Sequence, residues 1–210
     1  MVTDPGARTA DYTFDLSGGR LCLDFTNTVS DRGAKQPVER LTSYGDFIAW
    51  AQQAGATTAH AARGLLREAA AEPARARQVL ADAIRLREAL YRVFNAVSAG
   101  RVPRAPDLAI VNAAVPAAFE HARLMPARGG FTLAADAGRD DLAAPLTPVV
   151  RSAVDLMTSP EIDRVRTCAA ATCAWLFLDT TKNRARRWCD MKVCGNREKV
   201  RRFRGAQTGT

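Results

Sequence analysis

The sequence predicts a mainly α-helical protein with a few short strands (α+β), built as a multihelical N-terminal body and a small C-terminal cysteine-rich module. Three observations carry this reading. Between residues 43 and 157 apolar side chains recur every three or four positions, the period of an amphipathic helix. Four of the five cysteines fall within residues 168–194. The charge is uneven: residues 164–204 hold twelve Lys or Arg against three acids (Asp179, Asp190, Glu198), a net of +9, whereas the whole chain carries +8, so the remainder nets −1.

Residues 1–13 are polar and read as a loosely tethered terminus. Gly18-Gly19 marks a turn. Leu21, Leu23 and Phe25 alternate with Cys22, Asp24 and Thr26, which predicts a strand. Cys22 reads as a small buried hydrophobe. Asp24, Asn27 and Thr28 are polar groups inside this apolar stretch. They form either a ligand-contacting cluster or, the reading favoured, a set of side chains that tie down backbone where an element ends.

Helices follow. Ser43 with Asp46 three residues on forms a capping box, and Phe47, Ile48, Trp50, Ala51 and Ala54 follow at helical spacing up to Gly55. Thr58 caps a second helix bearing Leu65, Leu66 and Ala69. Pro73 opens the longest, whose stripe of Leu80, Ile84, Leu86, Leu90, Val93, Phe94 and Val97 makes it the centre of the body. Pro103 and Pro106 begin a fourth, which Pro116 should break or kink. Phe131–Leu133 is a short strand candidate. Leu146, Val149, Val150, Ala153 and Met157 mark a last helix ending before Pro160. The only histidines, His60 and His121, have no neighbouring ligand or nucleophile. No phosphate loop, nucleophile elbow or His–Glu zinc-protease motif occurs, so nothing nominates an enzyme.

Residues 159–164 (SPEIDR) read as a hinge, dividing a body of residues 1–160 from a module of residues 161–210 that ends in a short disordered tail. Cys168-x4-Cys173 and Cys189-x4-Cys194 lie fifteen residues apart. Two such pairs predict one tetrahedral Zn2+, with four thiolates filling the shell and no position left for an activated water. An apolar strand Ala174–Leu178, a turn at 179–183 and a return arm bearing Arg184, Arg186 and Arg187 form the expected hairpin between the pairs. Residues 196–204 read as a helix whose narrow face of Asn196, Val200 and Phe203 covers the zinc site. That order resembles a treble clef; a zinc ribbon is favoured if 196–204 is not helical. The longest uncharged apolar run, Leu108–Phe119, is too short for a bilayer, and residues 1–12 lack the apolar core of a signal peptide. The expected compartment is therefore the cytoplasm, where thiols stay reduced.

WLFLD at Trp175–Asp179, RRWC at Arg186–Cys189 and CGNR at Cys194–Arg197 resemble the bacterial CGNR zinc-finger family over about forty residues. The family pattern has Ser-Arg-Asn after WLFLD, where this chain has Thr181-Lys182-Asn183. The resemblance implies that Cys168, Cys173, Cys189 and Cys194 bind zinc. GGRLCLDFTNT, through Gly18, Gly19, Leu21, Leu23, Asp24, Phe25, Asn27 and Thr28, is similar to the start of the ABATE domain, a stress-linked regulatory module that commonly precedes such a finger. The combination predicts a zinc-containing DNA-binding regulator, its body sensing an unknown small-molecule effector or forming a homodimer. Arg184, Arg186, Arg187, Arg197, Lys199, Arg201 and Arg202 are the candidate DNA contacts, because Arg suits both phosphates and guanine edges. The alternative is a finger that binds protein or RNA, attached to a small-molecule-binding or enzymatic body.

Overall fold

Local chemistry fixes most helix boundaries. The computed structural model describes residues 12–120, 122–135 and 141–207, with side chains at all of these except 134, 135, 202 and 205–207. Residues 1–11, His121 and the last three residues, on which parts of the reading above fall, lie outside the described residues. Helix α2 (Tyr44–Gln53) starts at the Ser43–Asp46 capping box and is followed by Gly55 at φ +73°. Thr58 accepts from the Ala61 amide and opens α3 (Ala59–Ala71). Pro73 sits in the first turn of α4 (Pro73–Ser98). Helices α5 (Ala105–Phe119) and α6 (Leu146–Thr158) complete the body. Helix α5 runs on through Pro116. Its missing N–H orphans only the carbonyl of Asn112, an exposed residue that water can serve.

The strand expected at 21–26 is a helix, α1 (Leu21–Thr26). The Arg20 carbonyl accepts from the amides of Leu23 (2.9 Å) and Asp24 (3.0 Å), closing a helical turn. A strand would have turned Cys22 and Thr26 away from Leu23 and Phe25; the helix buries all four. A six-residue apolar run carries too few periods to tell the two apart. Phe25 then meets Trp50 at a centroid distance of 4.9 Å, and α1 packs between α4 and α6.

Among the described residues, three two-stranded antiparallel pairs decorate the helices. Strands β1 (Val29–Ser30) and β2 (Val38–Glu39) form a short clasp. Strands β3 (Ala122–Ala127) and β4 (Gly130–Ala135) form a ribbon closed by Arg128-Gly129, with Gly129 at φ +81°. The sequence announces β4 but not β3, because Met125 and Pro126 interrupt its alternation. Strands β5 (Val165–Thr167) and β6 (Leu176–Leu178) pair across the first cysteine loop.

The segment read as a hinge is one 3-10 turn, Pro160–Arg164, with the Ser159 hydroxyl accepting from Glu161 N. The strand it leads into enters the main core: Val165, Leu176 and Leu178 are buried among the same residues as Phe25 and Leu90. Asn27 acts as a one-residue strand partner, its side-chain amide donating to Leu176 O (2.8 Å) and accepting from Leu176 N (2.9 Å). Thr28 donates to Phe25 O (2.8 Å). Asp24 accepts from Gly18 N (2.8 Å), and Gly18 O accepts from Leu178 N (2.8 Å). Cys22 is fully buried, which pushes its thiol up to about 12.

Burial raises the Asp24 carboxyl from its ordinary 3.8 to about 7, against the lowering effect of the Gly18 amide. A carboxyl that holds its proton more tightly when folded contributes stability that is full below the unfolded value and is lost as pH rises through the folded one. Wild type should therefore lose stability between about pH 4 and pH 7 relative to Asp24→Asn, which still offers Gly18 an acceptor. Denaturant midpoints of both proteins across that range check this; parallel curves would refute it.

Candidate metal centre and basic surface

Each cysteine is set by a turn. Cys168 N donates to Trp175 O (2.7 Å), and Cys173 N donates to Ala170 O (3.1 Å). Ala174 follows at φ +54°, turning the chain into β6. Asp190 shapes the second pair. Its carboxylate accepts from Val193 N (2.7 Å) and its carbonyl from Cys194 N (3.0 Å), winding residues 191–195 into one wide π-helical turn. That turn delivers Cys194 at the start of α7 (Asn196–Gln207).

The four sulfurs lie within 4.8 Å of one another, all buried. Cys189 Sγ is 3.6 Å from both Cys173 Sγ and Cys194 Sγ. A tetrahedron with Zn–S near 2.3 Å has edges of about 3.8 Å, whereas a disulfide needs about 2.05 Å. The cluster thus has the dimensions of a ZnS4 site and not of disulfides. Electrostatics agree. Hydrogen bonds from Cys173 and Cys189 push the Cys168 thiol down, while those same bonds push Cys173 and Cys189 up, and burial raises Cys194. Four thiolates this close need a cation to ionise together, and the donor set suits one structural Zn2+.

Helix α7 is the feature that favours a treble clef over a ribbon. Between the cysteine pairs, however, the expected hairpin is absent: among residues 179–190 none is in a strand, and β6 pairs backward with β5. Asp179 explains this. Fully buried, its carboxylate accepts from Thr181 N (2.9 Å), Thr181 Oγ1 (2.6 Å) and Arg186 N (2.9 Å). It thereby curls the segment and captures an amide that a return strand would use. Residues Val200 and Phe203 do not cover the zinc site either; they are 48% and 65% exposed. Phe177, Trp175 and Trp188 already close the small core around the cysteines, so the part of α7 that carries Val200 and Phe203 stands clear of it.

The basic residues fall into distinct roles. Arg186 points inward: its guanidinium donates to Trp188 O (2.9 Å) and to Cys189 O, and lies 4.6 Å from the Phe177 ring centroid. It braces the second cysteine turn. Arg197 reaches the body, donating to Asp31 Oδ1 and Thr172 Oγ1, each at 3.1 Å. Arg201 pairs with Glu198 (2.8 Å), whose other oxygen accepts from Ala171 N. Arg184, Arg187 and Lys199 are exposed, and Arg187 lies over Trp188. Nothing is described for the Arg202 side chain.

The body grips the first cysteine turn from one side. Trp175 Nε1 donates to Val29 O (2.6 Å), Gly33 N to Thr172 O (2.9 Å) and Tyr91 OH to Ala174 O (3.0 Å). At this junction a cleft of about 210 Å3 opens between Ser30, Asp31, Arg40 and Arg197 on its polar walls and Trp175 at its apolar one. The sequence held no signal for Asp31 as the partner of Arg197, because the two are 166 positions apart.

Residues 164–207 match the CGNR zinc finger family. Residues 19–160 match the ABATE family, described as "putative stress-induced transcription regulator". Neither is an enzyme family. No curated protein matches the chain. No helix among the described residues is long and apolar enough to cross a membrane. The ABATE match alone spans more than half of the sequence and the four-cysteine cluster lies within the second match, so the chain belongs to the ABATE family and carries a C-terminal CGNR zinc finger.

Proposed function

We propose that this protein is a cytosolic zinc-containing transcription regulator that binds DNA through the finger, while the helical body senses a signal or dimerises. The observation that carries this is α7. It leaves the zinc site as a solvent-exposed helix bearing Arg197, Lys199, Arg201 and Arg204, and its one acid, Glu198, is turned inward onto Ala171 N. Twelve residues span about 18 Å, and a helix of that size fits a major groove about 12 Å wide. Arg184, Arg187, Lys199 and Arg201 are the proposed contacts, with Arg197 shared between DNA and Asp31.

Selection from random duplex DNA, across a salt series, tests this. The log–log salt slope should be about −0.9 per phosphate neutralised. The double variant Lys199→Ala/Arg201→Ala should lower that slope by about two contacts, and a lost guanine contact should relax base preference by about 1–3 kcal/mol. An unenriched pool, or unchanged binding by the double variant, would sink the duplex reading. Four exposed apolar side chains on the finger, Met191, Val193, Val200 and Phe203, favour a second reading, a protein or RNA partner, to which a failed DNA selection would point.

A further inference from the structure

Helix α7 is oriented by Glu198. That side chain is buried, its Oε1 accepting from Ala171 N at 3.1 Å, so the face bearing it is the one turned to the rest of the protein. At about 100° per residue, Val200 and Phe203 lie about 160° and 140° round the helix from Glu198, on either side of the opposite pole. They form the outer crest of α7 and are 48% and 65% exposed. Arg197 and Arg204 follow one flank of that crest, about 100° and 120° from Glu198, and Lys199 follows the other, at about 100°. Asn196, Arg197, Val200, Arg201 and Arg204 line one open groove along the first flank, so the arginine row and the crest meet there. Glu198 is the only acid of the helix, so its exposed faces carry no negative charge.

An apolar crest between two cationic flanks fits a partner with an apolar floor between two anionic walls. A flat anionic surface or an acidic peptide offers the charge but not the two walls. The major groove of duplex DNA has that shape: it is about 12 Å wide and 8.5 Å deep, phosphates run along both edges, and the thymine C5-methyl is an apolar group displayed on its floor. A helix with its side chains is about 10–12 Å across and fills the groove with its crest at the bottom. We propose that Val200 and Phe203 are base-reading side chains of the finger and select thymine by packing on its C5-methyl group. This rests on reading α7 as the helix that enters DNA, and it adds which base that helix prefers. Val200 and Phe203 are about 4.5 Å apart along the axis, close to the roughly 3.4 Å between successive base pairs, so the two reach neighbouring pairs. Arg197 and Lys199 then lie nearest the two phosphate walls, which positions the helix.

The test uses the full-length, zinc-loaded protein and the duplex that selection from random DNA enriches, made once with thymidine and once with deoxyuridine. Uracil pairs as thymine does and lacks only the methyl. The enriched site should hold thymine in neighbouring pairs, and the uracil duplex should bind about four-fold more weakly for each methyl contacted. Val200→Ala/Phe203→Ala should keep the wild-type zinc content, because both positions face solvent, and the wild-type salt slope, because no phosphate contact is lost. It should bind the thymine and uracil duplexes equally. An enriched site without thymine, or one whose affinity is the same with uracil, overturns the proposal and leaves DNA binding by the finger standing. So does a double variant that still discriminates the two duplexes, since the methyl would then act through DNA shape. A pool that shows no enrichment removes both readings.

Discussion

Replacing Cys189 with serine is expected to abolish zinc binding and to destabilise the body as well as the finger. Cys189 is the most buried of the four ligands and its sulfur sits 3.6 Å from two of the others. Metal binding in comparable sites stabilises by about 10 kcal/mol or more, as large as the whole stability of many domains. The loss does not stay local. Strand β6 follows directly on the first cysteine pair, and its Leu176 and Leu178, with Val165 of β5, lie in the main core. Each contributes about 1.5–3 kcal/mol by burial. Leu176 also satisfies both ends of the buried Asn27 amide, and releasing it leaves those groups unpaired. Losing half of this contact should lower the melting temperature of the remaining body by about 10 °C. Elemental analysis should fall from one zinc per chain to none, and hydrogen exchange at the Leu176 and Leu178 amides should lose its protection. Retained protection in Cys189→Ser would mean that β5 and β6 fold on the body without metal.

That coupling marks where sequence reasoning stops. The cysteine spacing names the ligands because two turns and a tetrahedron impose local distances. Helix starts are equally legible at Ser43, Thr58 and Pro73, since a cap acts within four residues. Asn27 and Thr28 stand out as polar residues in an apolar run, and both hydrogen-bond to backbone. The partner of Asn27, however, is 149 positions away, and no local pattern encodes it. Misreadings share one cause: a local pattern states that a face is apolar but not what lies against it. Val200 and Phe203 do form an apolar face on α7, yet the space they might fill belongs to Phe177 and two tryptophans. At Asp179 the error runs the other way. A polar residue after WLFL reads as the start of a turn, and it is one. Its burial converts that turn into a knot of hydrogen bonds that abolishes the return strand.

Arg87 is the clearest residue that sequence reasoning passes over, and Arg87→Ala should cost about 3 kcal/mol, the low end for breaking a buried pair because its glutamate partners are partly exposed. It lies on α4 between Leu86 and Glu88 and is only 2% exposed. Its guanidinium forks onto Glu39 with two contacts of 2.6 Å, donates to Glu88 Oε1 at 2.9 Å and reaches Thr28 Oγ1 at 3.2 Å. Glu88 in turn takes two bonds from Arg32, whose guanidinium lies 4.0 Å from the Tyr91 ring centroid. Tyr91 donates to Ala174 O beside Cys173, so the network runs from the β1–β2 clasp through α4 to the zinc ligands. Burial raises the Glu88 carboxyl, but the Arg32 hydrogen bonds and the two arginine charges outweigh it and hold the group below its ordinary 4.5. A depressed carboxyl contributes stability that is present above the unfolded value and is lost as pH falls through the folded one. The gap between wild type and Arg87→Ala should therefore be widest near neutrality and narrow below about pH 4.5. Arg87→Lys should recover only part of the loss, since an ammonium cannot serve Glu39 and Glu88 as a planar fork. Urea midpoints at pH 7 and pH 4 decide it. A loss under about 1 kcal/mol at pH 7, the size of a surface pair, would show that the network adds nothing beyond its individual contacts.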